Sequence, residues 1–163
     1  ISYRYRDLGN MDLVIQQLDP KSHLQKLLEN KLRADGRAIT DLRKIAIETG
    51  PYDECTAGSS VIRWGGTRVA CGIKVENIPN AIKSEIVFEV SLWPICSPSY
   101  DRLKSKESHL IESTLYSLIS KEGLLNLEEL IPGKRDTHFR LTVHILFLST
   151  GGGLSDAAVL AVV

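Results

Sequence analysis

Three runs decide the fold: Leu32-Arg-Ala-Asp-Gly-Arg37, Arg43-Lys-Ile-Ala-Ile-Glu-Thr-Gly50, and Ala57-Gly-Ser-Ser-Val-Ile-Arg-Trp-Gly-Gly-Thr-Arg-Val-Ala-Cys-Gly-Ile-Lys-Val-Glu-Asn77. In the last run Thr67, Val69, Cys71, Ile73 and Val75 fall on one face. Arg68, Ala70, Gly72, Lys74 and Glu76 fall on the other. A period of two marks a half-buried antiparallel strand. Trp64-Gly65-Gly66-Thr67 turns the chain back from Ser59–Arg63, because paired glycines accept the positive φ of a tight hairpin. The rest of the chain is expected to pack around this hairpin.

Upstream, Ile1 to Asp12 has no clear period. Asp19-Pro20 reads as a helix start, an N-cap carboxylate with proline at the first helical position. Leu24, Leu27, Leu28 and Leu32 make a stripe at helical spacing that Asp35-Gly36 is expected to end. This amphipathic helix could pack on its own domain or on a neighbour. Arg43 to Thr49 reads as the first strand, with Ile45 and Ile47 inward, and Pro51 to Thr56 as a polar loop.

Downstream, Ile82 to Leu92 alternates, with Ile82, Ile86, Phe88, Val90 and Leu92 on one face against Lys83, Glu85 and Glu89. The short link after Glu76 predicts another hairpin partner for the preceding strand. Pro94 to Lys106 breaks the pattern and ends basic. Glu107 to Glu122 turns helical, with Leu110, Ile111, Leu115, Leu118 and Ile119 on one stripe and Gly123 closing it. Leu124 to Ile131 is leucine-rich and ends at Pro132-Gly133. Thr137 to Ser149 is a strand with Phe139, Leu141, Val143, Ile145 and Phe147 on one face. Its other face runs from His138, Arg140, Thr142 and His144 to Leu146 and Leu148, as in a strand covered at one end. Gly151 to Gly153 then turns the chain into a small-residue helix from Leu154. The class is α+β.

The 163 residues suit one domain, and 43% apolar content can bury a core. Twenty basic and twenty acidic side chains cancel. That balance argues against a broad basic face gripping nucleic acid alone. No apolar run approaches a membrane span, so no membrane partner is expected. Cys55, Cys71 and Cys96 have no Cys-x-x-Cys spacing and suggest neither a disulfide framework nor a zinc site. A reducing compartment is the natural setting.

The Arg-x-Asp-Gly-Arg run, the Ile-x-Ile-Glu-Thr-Gly strand and Gly-Ser-Ser-Val-Ile-Arg-Trp-Gly-Gly-Thr-Arg-Val together resemble the opening of an RNase PH-type domain. The family's usual form is Arg-Pro-Asp-Gly-Arg followed by Gly-Ser-Ala-x-Val-x-x-Gly-Asn-Thr-x-Val. Leu154-Ser-Asp-Ala-Ala-Val-Leu-Ala-Val-Val163 resembles its Leu-x-Asp-Ala-Ala-x-x-Ala helix. The match runs from Leu32 to Val163, leaving residues 1–31 as an N-terminal extension. It implies an RNase PH-like (ribosomal protein S5 domain 2-like) α+β fold, an antiparallel or mixed sheet with covering helices. The family repeats this arrangement in a second half, and the last helix is apolar nearly all round. The expectation is therefore that 32–163 is the first half of such a domain.

Active members of the family place an arginine-rich segment between this strand and helix to hold the RNA backbone. Here that segment, Tyr100-Asp-Arg-Leu-Lys-Ser-Lys106, keeps Arg102, Lys104 and Lys106 as nucleic-acid candidates beside the plainer reading of a solvated loop. Where relatives commonly have Asp-Gly-Asn, this chain has Gly151-Gly-Gly153, read as a turn and not a phosphate cradle, for it lacks a P-loop's Gly-Lys-Ser/Thr. Asp156 matches the family's helix aspartate, and the helix dipole accounts for it. Asp35 and Arg37 read as turn and salt-bridge residues. His138 and His144 share a face but stand too far apart in sequence for a local metal pair. No catalytic residue, metal or cofactor is assigned.

The resemblance then implies a non-catalytic RNase PH-like subunit of the eukaryotic exosome ring. Its expected partners are the other ring subunits, cap proteins, and RNA passing through the assembled pore. The expected location is nucleus, nucleolus and cytoplasm. The rival is a phosphorolytic 3′-to-5′ exoribonuclease whose catalytic motif lies in the second half. An unrelated α+β interaction domain is a third, weaker reading.

Overall fold

The computed structural model describes residues 18–33, 35–78, 84–96, 100, 105–121 and 138–163. They fall into two compact units, Ile1–Arg43 and Lys44–Val163. The expectations for residues 1–12, Ile82, Gly123, Leu124 to Ile131 and Pro132-Gly133 lie outside the described residues.

In the first unit, helix α1 spans Pro20–Glu29. Asp19 caps it, accepting from the Ser22 backbone N–H at 3.1 Å and from the Ser22 hydroxyl at 2.6 Å. The helix stops earlier than the leucine stripe predicts. Lys31 adopts a left-handed φ of 55°. Its N–H donates to the Leu28 carbonyl, and the Leu32 N–H donates to the Leu27 carbonyl. These two bonds are the Schellman closure, which satisfies the last carbonyls and ends the helix before Leu32. Leu32 instead bridges to Ala38. Asp35-Gly36 belong to the turn between those two, where Gly36 takes φ 78°.

The second unit is one mixed five-stranded sheet with helices on one face. Its strands are β1 (Ile45–Thr49), β2 (Gly58–Trp64), β3 (Thr67–Ile78), β4 (Glu85–Leu92) and β5 (His138–Ser149). The order across the sheet is β1-β2-β3-β5-β4. The β2–β3 hairpin forms as its alternation predicts, closing at Gly65-Gly66 with Trp64 opposite Thr67. The pairing predicted for β4 is corrected. It lies parallel to β5, not antiparallel to β3, and β5 fills the place beside β3. The reason is length: β3 and β5 are both 12 residues and pair from Arg68 to Ile78, a ladder the shorter β4 cannot match.

Helix α2 (Lys106–Tyr116) lies over β4, and helix α3 (Leu154–Val162) lies over β2 and β3. Between sheet and helices sit Ile62, Val69, Phe88, Val90, Val143, Ile145 and Phe147, all buried. On α2 the buried stripe is Ser108, Ile111 and Leu115, continued by Ile119 in the π-turn Ser117–Lys121. Leu110 and Leu118, expected on that stripe, are exposed. The buried positions step by three and then by four, which keeps them on one face of the helix. On α3, Ala157, Ala158 and Ala161 are buried, and their small side chains let the helix lie close to the sheet. The Ser60 hydroxyl donates to the Ala161 carbonyl at 2.6 Å, satisfying one of that helix's last acceptors.

Two further expectations are corrected by where the helices stop. Ile45 and Ile47 share the core face with Trp64 and Ile62, their ladder partners. Yet they are 49% and 58% exposed, because β1 is an edge strand beyond the reach of α3. Leu146 and Leu148, expected under cover, are also exposed. Among the described residues both helices pack on the opposite face, and this one leaves Leu146, Leu148, Arg140 and His144 exposed while Thr142 between the two charged residues is buried.

Candidate nucleic-acid interface

The basic segment predicted to meet RNA is anchored where it is described. Trp93 to Cys96 forms a turn, with the Cys96 N–H donating to the Trp93 carbonyl at 2.9 Å. The Cys96 thiol donates to the Phe147 carbonyl, and the Thr150 hydroxyl donates to the Cys96 carbonyl at 3.3 Å. The chain leaving β4 is therefore held against the end of β5. It re-enters at α2, where the Ser105 hydroxyl caps the Ser108 N–H at 3.2 Å. The Tyr100 hydroxyl donates to Glu107 Oε2 at 2.8 Å. Burial, then this bond to a carboxylate, push the Tyr100 phenol up to about 12.

Lys106 is exposed at the first position of α2. A cation there opposes the helix dipole, which favours anions at the N-terminus. Glu107 offsets it but is engaged by Tyr100. Arg102 and Lys104 lie outside the described residues, so the structure places one of the three candidates and does not bring the set together.

The remaining candidates resolve into structure. Asp35 accepts from Arg37 at 2.6 Å and 2.8 Å, and these bonds hold its carboxyl below the ordinary value. Arg37 also donates to the Asp41 carbonyl at 2.8 Å, so the pair stitches the turn. His144 pairs with Glu89 at 3.0 Å across the β4–β5 ladder and is exposed. His138, six residues earlier on the same strand face, has a buried Nδ1 without a hydrogen-bond partner among the described residues. Among the described residues no three His, Cys, Asp or Glu side chains gather as metal ligands.

The glycine run before α3 is a backbone clasp. Thr67, fully buried, donates through its hydroxyl to the Gly152 carbonyl at 2.8 Å and accepts the Gly151 N–H at 2.9 Å. The Ser149 hydroxyl donates to the Gly66 carbonyl at 2.8 Å. A Cβ on Gly151 would lie 2.8 Å from the Gly66 Cα and 2.9 Å from its carbonyl carbon. The two turns touch backbone to backbone. Gly153 opens α3 with φ 69° and no side-chain cap, leaving Asp156 as the anion of the first turn.

Sequence reasoning passed over one feature, a facing arginine pair. Arg63 and Arg68 stand opposite each other on the open side of the hairpin. The signal was present in the alternation, but only the register makes the two residues neighbours.

Among known proteins, this chain is 28% identical over 155 residues to a Schizosaccharomyces pombe protein named exosome complex component rrp43, covering 89% of this chain and 55% of that one. It is 32% identical over 163 residues to exosome complex component Rrp42 of Methanothermobacter thermautotrophicus, covering 96% and 58%. Its fold is similar to a chain in the Archaeoglobus fulgidus exosome with RNA bound to the active site, with TM-score 0.75, 22% identity, and 91% and 59% coverage. A chain of an archaeal exosome core matches with TM-score 0.68, 23% identity, and 94% and 58% coverage. The chain thus spans a little over half the length of these relatives. Residues 41–163 match the 3′ exoribonuclease family, domain 1, and the chain belongs to that family.

Proposed function

We propose that this chain is part of a structural, RNA-threading subunit of an exosome core ring, without catalysis of its own. The observation that carries this reading is its similarity, across 89% and 96% of its length, to proteins named exosome complex components. Other ring subunits and RNA in the pore would be its partners. The basic segment entering α2, with Arg102, Lys104 and Lys106, would supply weak phosphate contacts. A departure from the family pattern supports the absence of chemistry. Where relatives commonly carry Asp-Gly-Asn, this chain has three glycines, of which Gly151 packs on the Gly66 backbone and Gly152 is held by Thr67.

Membership in a 3′ exoribonuclease family favours the competing reading, phosphorolysis with the catalytic motif in the second half. The two separate in one assay. The isolated full-length protein should leave a 3′-labelled single-stranded RNA at full length, with or without inorganic phosphate. Phosphate-dependent release of nucleoside diphosphates, lost on substitution within this same protein, would overturn the structural reading.

A further inference from the structure

The open face of the sheet is built in rungs. At the far end from the hairpin, Arg140 meets Glu85, and Lys74 meets Glu76 at 2.6 Å. His144 meets Glu89 nearer the middle. Each of these basic side chains has an acidic neighbour. At the hairpin end this balance fails. Arg63 lies directly across from Arg68, both exposed, and neither side chain has an ion pair or hydrogen bond among the described residues. Their neighbours Ile62 and Val69 are fully buried on the helix side, which fixes both arginines on the open side. Like charges directly opposite one another weaken a ladder.

The adjoining rung is apolar at its centre and carries exposed Glu48 at its β1 end, opposite Val61. Val61 pairs with Ala70, and Ala70 with Leu146. Val61 and Ala70 are half-buried, Leu146 is 36% exposed, and Leu148 beside it is 37% exposed. Two guanidiniums in no ion pair, with Glu48 one rung away, border the apolar side chains Val61, Ala70 and Leu146, and arginine beside an apolar centre is the composition of a protein interface. They fit a nucleic acid less well. The rung holds no aromatic side chain on which a base could stack, and the chain's formal net charge of zero supplies no broad field for a phosphate backbone.

We propose that the Arg63–Arg68 pair is a docking site for an acidic segment of a partner protein. Its carboxylates would sit on the two guanidiniums and its apolar side chains on Val61, Ala70 and Leu146. Charge complementarity selects the occupant. Arginine forks bind carboxylates through two parallel N–H donors. Paired strand residues stand about 4.5–5.5 Å apart at Cα, and acidic residues one helical turn apart about 5–6 Å, so one acidic helix face could engage both. The site is separate from the basic segment entering α2 and does not depend on the RNA-threading reading.

The test uses the multiprotein complex purified with the full-length protein. The double variant R63K/R68K keeps the charge and adds amines that a zero-length carbodiimide can couple to a touching carboxylate. The expected result is an amide link from position 63 or 68 to an Asp or Glu of another polypeptide. The double variant R63E/R68E, exposed and compatible with the fold, should weaken retention of that polypeptide at least tenfold and remove the salt sensitivity of its release. Links only to this chain's own carboxylates, or none in an intact complex, would overturn the proposal. So would ultraviolet crosslinking of RNA to the hairpin, or unchanged composition and salt sensitivity in R63E/R68E.

Discussion

At the scale of single residues, Gly151 is constrained by backbone alone. Any side chain there meets the Gly66 backbone at 2.8–2.9 Å, and no flexible group can move aside. G151A should therefore cost about 1–3 kcal/mol, the usual penalty for overpacking. G66A should cost less, because the Cβ it adds would meet the Gly151 Cα at 3.4 Å. Denaturant melts of the two variants check that order, and equal losses would refute it. The resemblance gives the family's form as asparagine and aspartate where this chain has Gly66 and Gly151. The sequence displays both departures, but nothing in it shows that two glycines so far apart along the chain touch. That contact depends on β3 and β5 being neighbours.

Among the elements, alternation made the hairpin, β4 and β5 legible, because burial on one face writes a period of two into each strand. It could not say which strand joins which. The short link after β3 suggested a hairpin, but ladder length decided the pairing and placed β5 between β3 and β4. The end of α1 was misplaced for a different reason. A lysine took the left-handed position that glycine usually signals, so Leu32 continued the stripe in sequence but not in the helix. Of the candidate site, the arrangement of Asp35 with Arg37 was readable from local spacing. The arginine pair was not, since register brings it together. Edge protection was equally hidden. The Val90 N–H on edge strand β4 donates to Glu112 Oε1 of α2 at 2.9 Å. E112A should leave that part-buried donor unpaired and cost about 1–3 kcal/mol. E112Q, which keeps an acceptor, should recover most of the loss in the same melts, and no recovery would place the effect elsewhere.

For the molecule as a whole, the formal charge of zero means that RNA contact must be local if it occurs. Reversing Arg102, Lys104 and Lys106 to glutamate should reduce RNA binding by the assembled complex without altering its composition. Each lost phosphate contact should flatten the dependence of log affinity on log salt by roughly 0.7, the single-strand value. The isolated protein should change little. An unchanged slope in the complex would identify the segment as a solvated loop, and failed assembly would place it at a subunit boundary.

The strand order also bears on how the chain is made. β1, β2 and β3 follow one another in sequence and in the sheet, so they can pair as they leave the ribosome. β4 cannot, because its sheet partner β5 begins at His138. Until that segment is synthesised, Ile86, Phe88, Val90 and Leu92 have no finished sheet to join. Distant pairing of this kind slows folding, because the loop must close before its contacts form. The interval between the synthesis of β4 and of β5 is then the period in which a nascent chain most needs a chaperone.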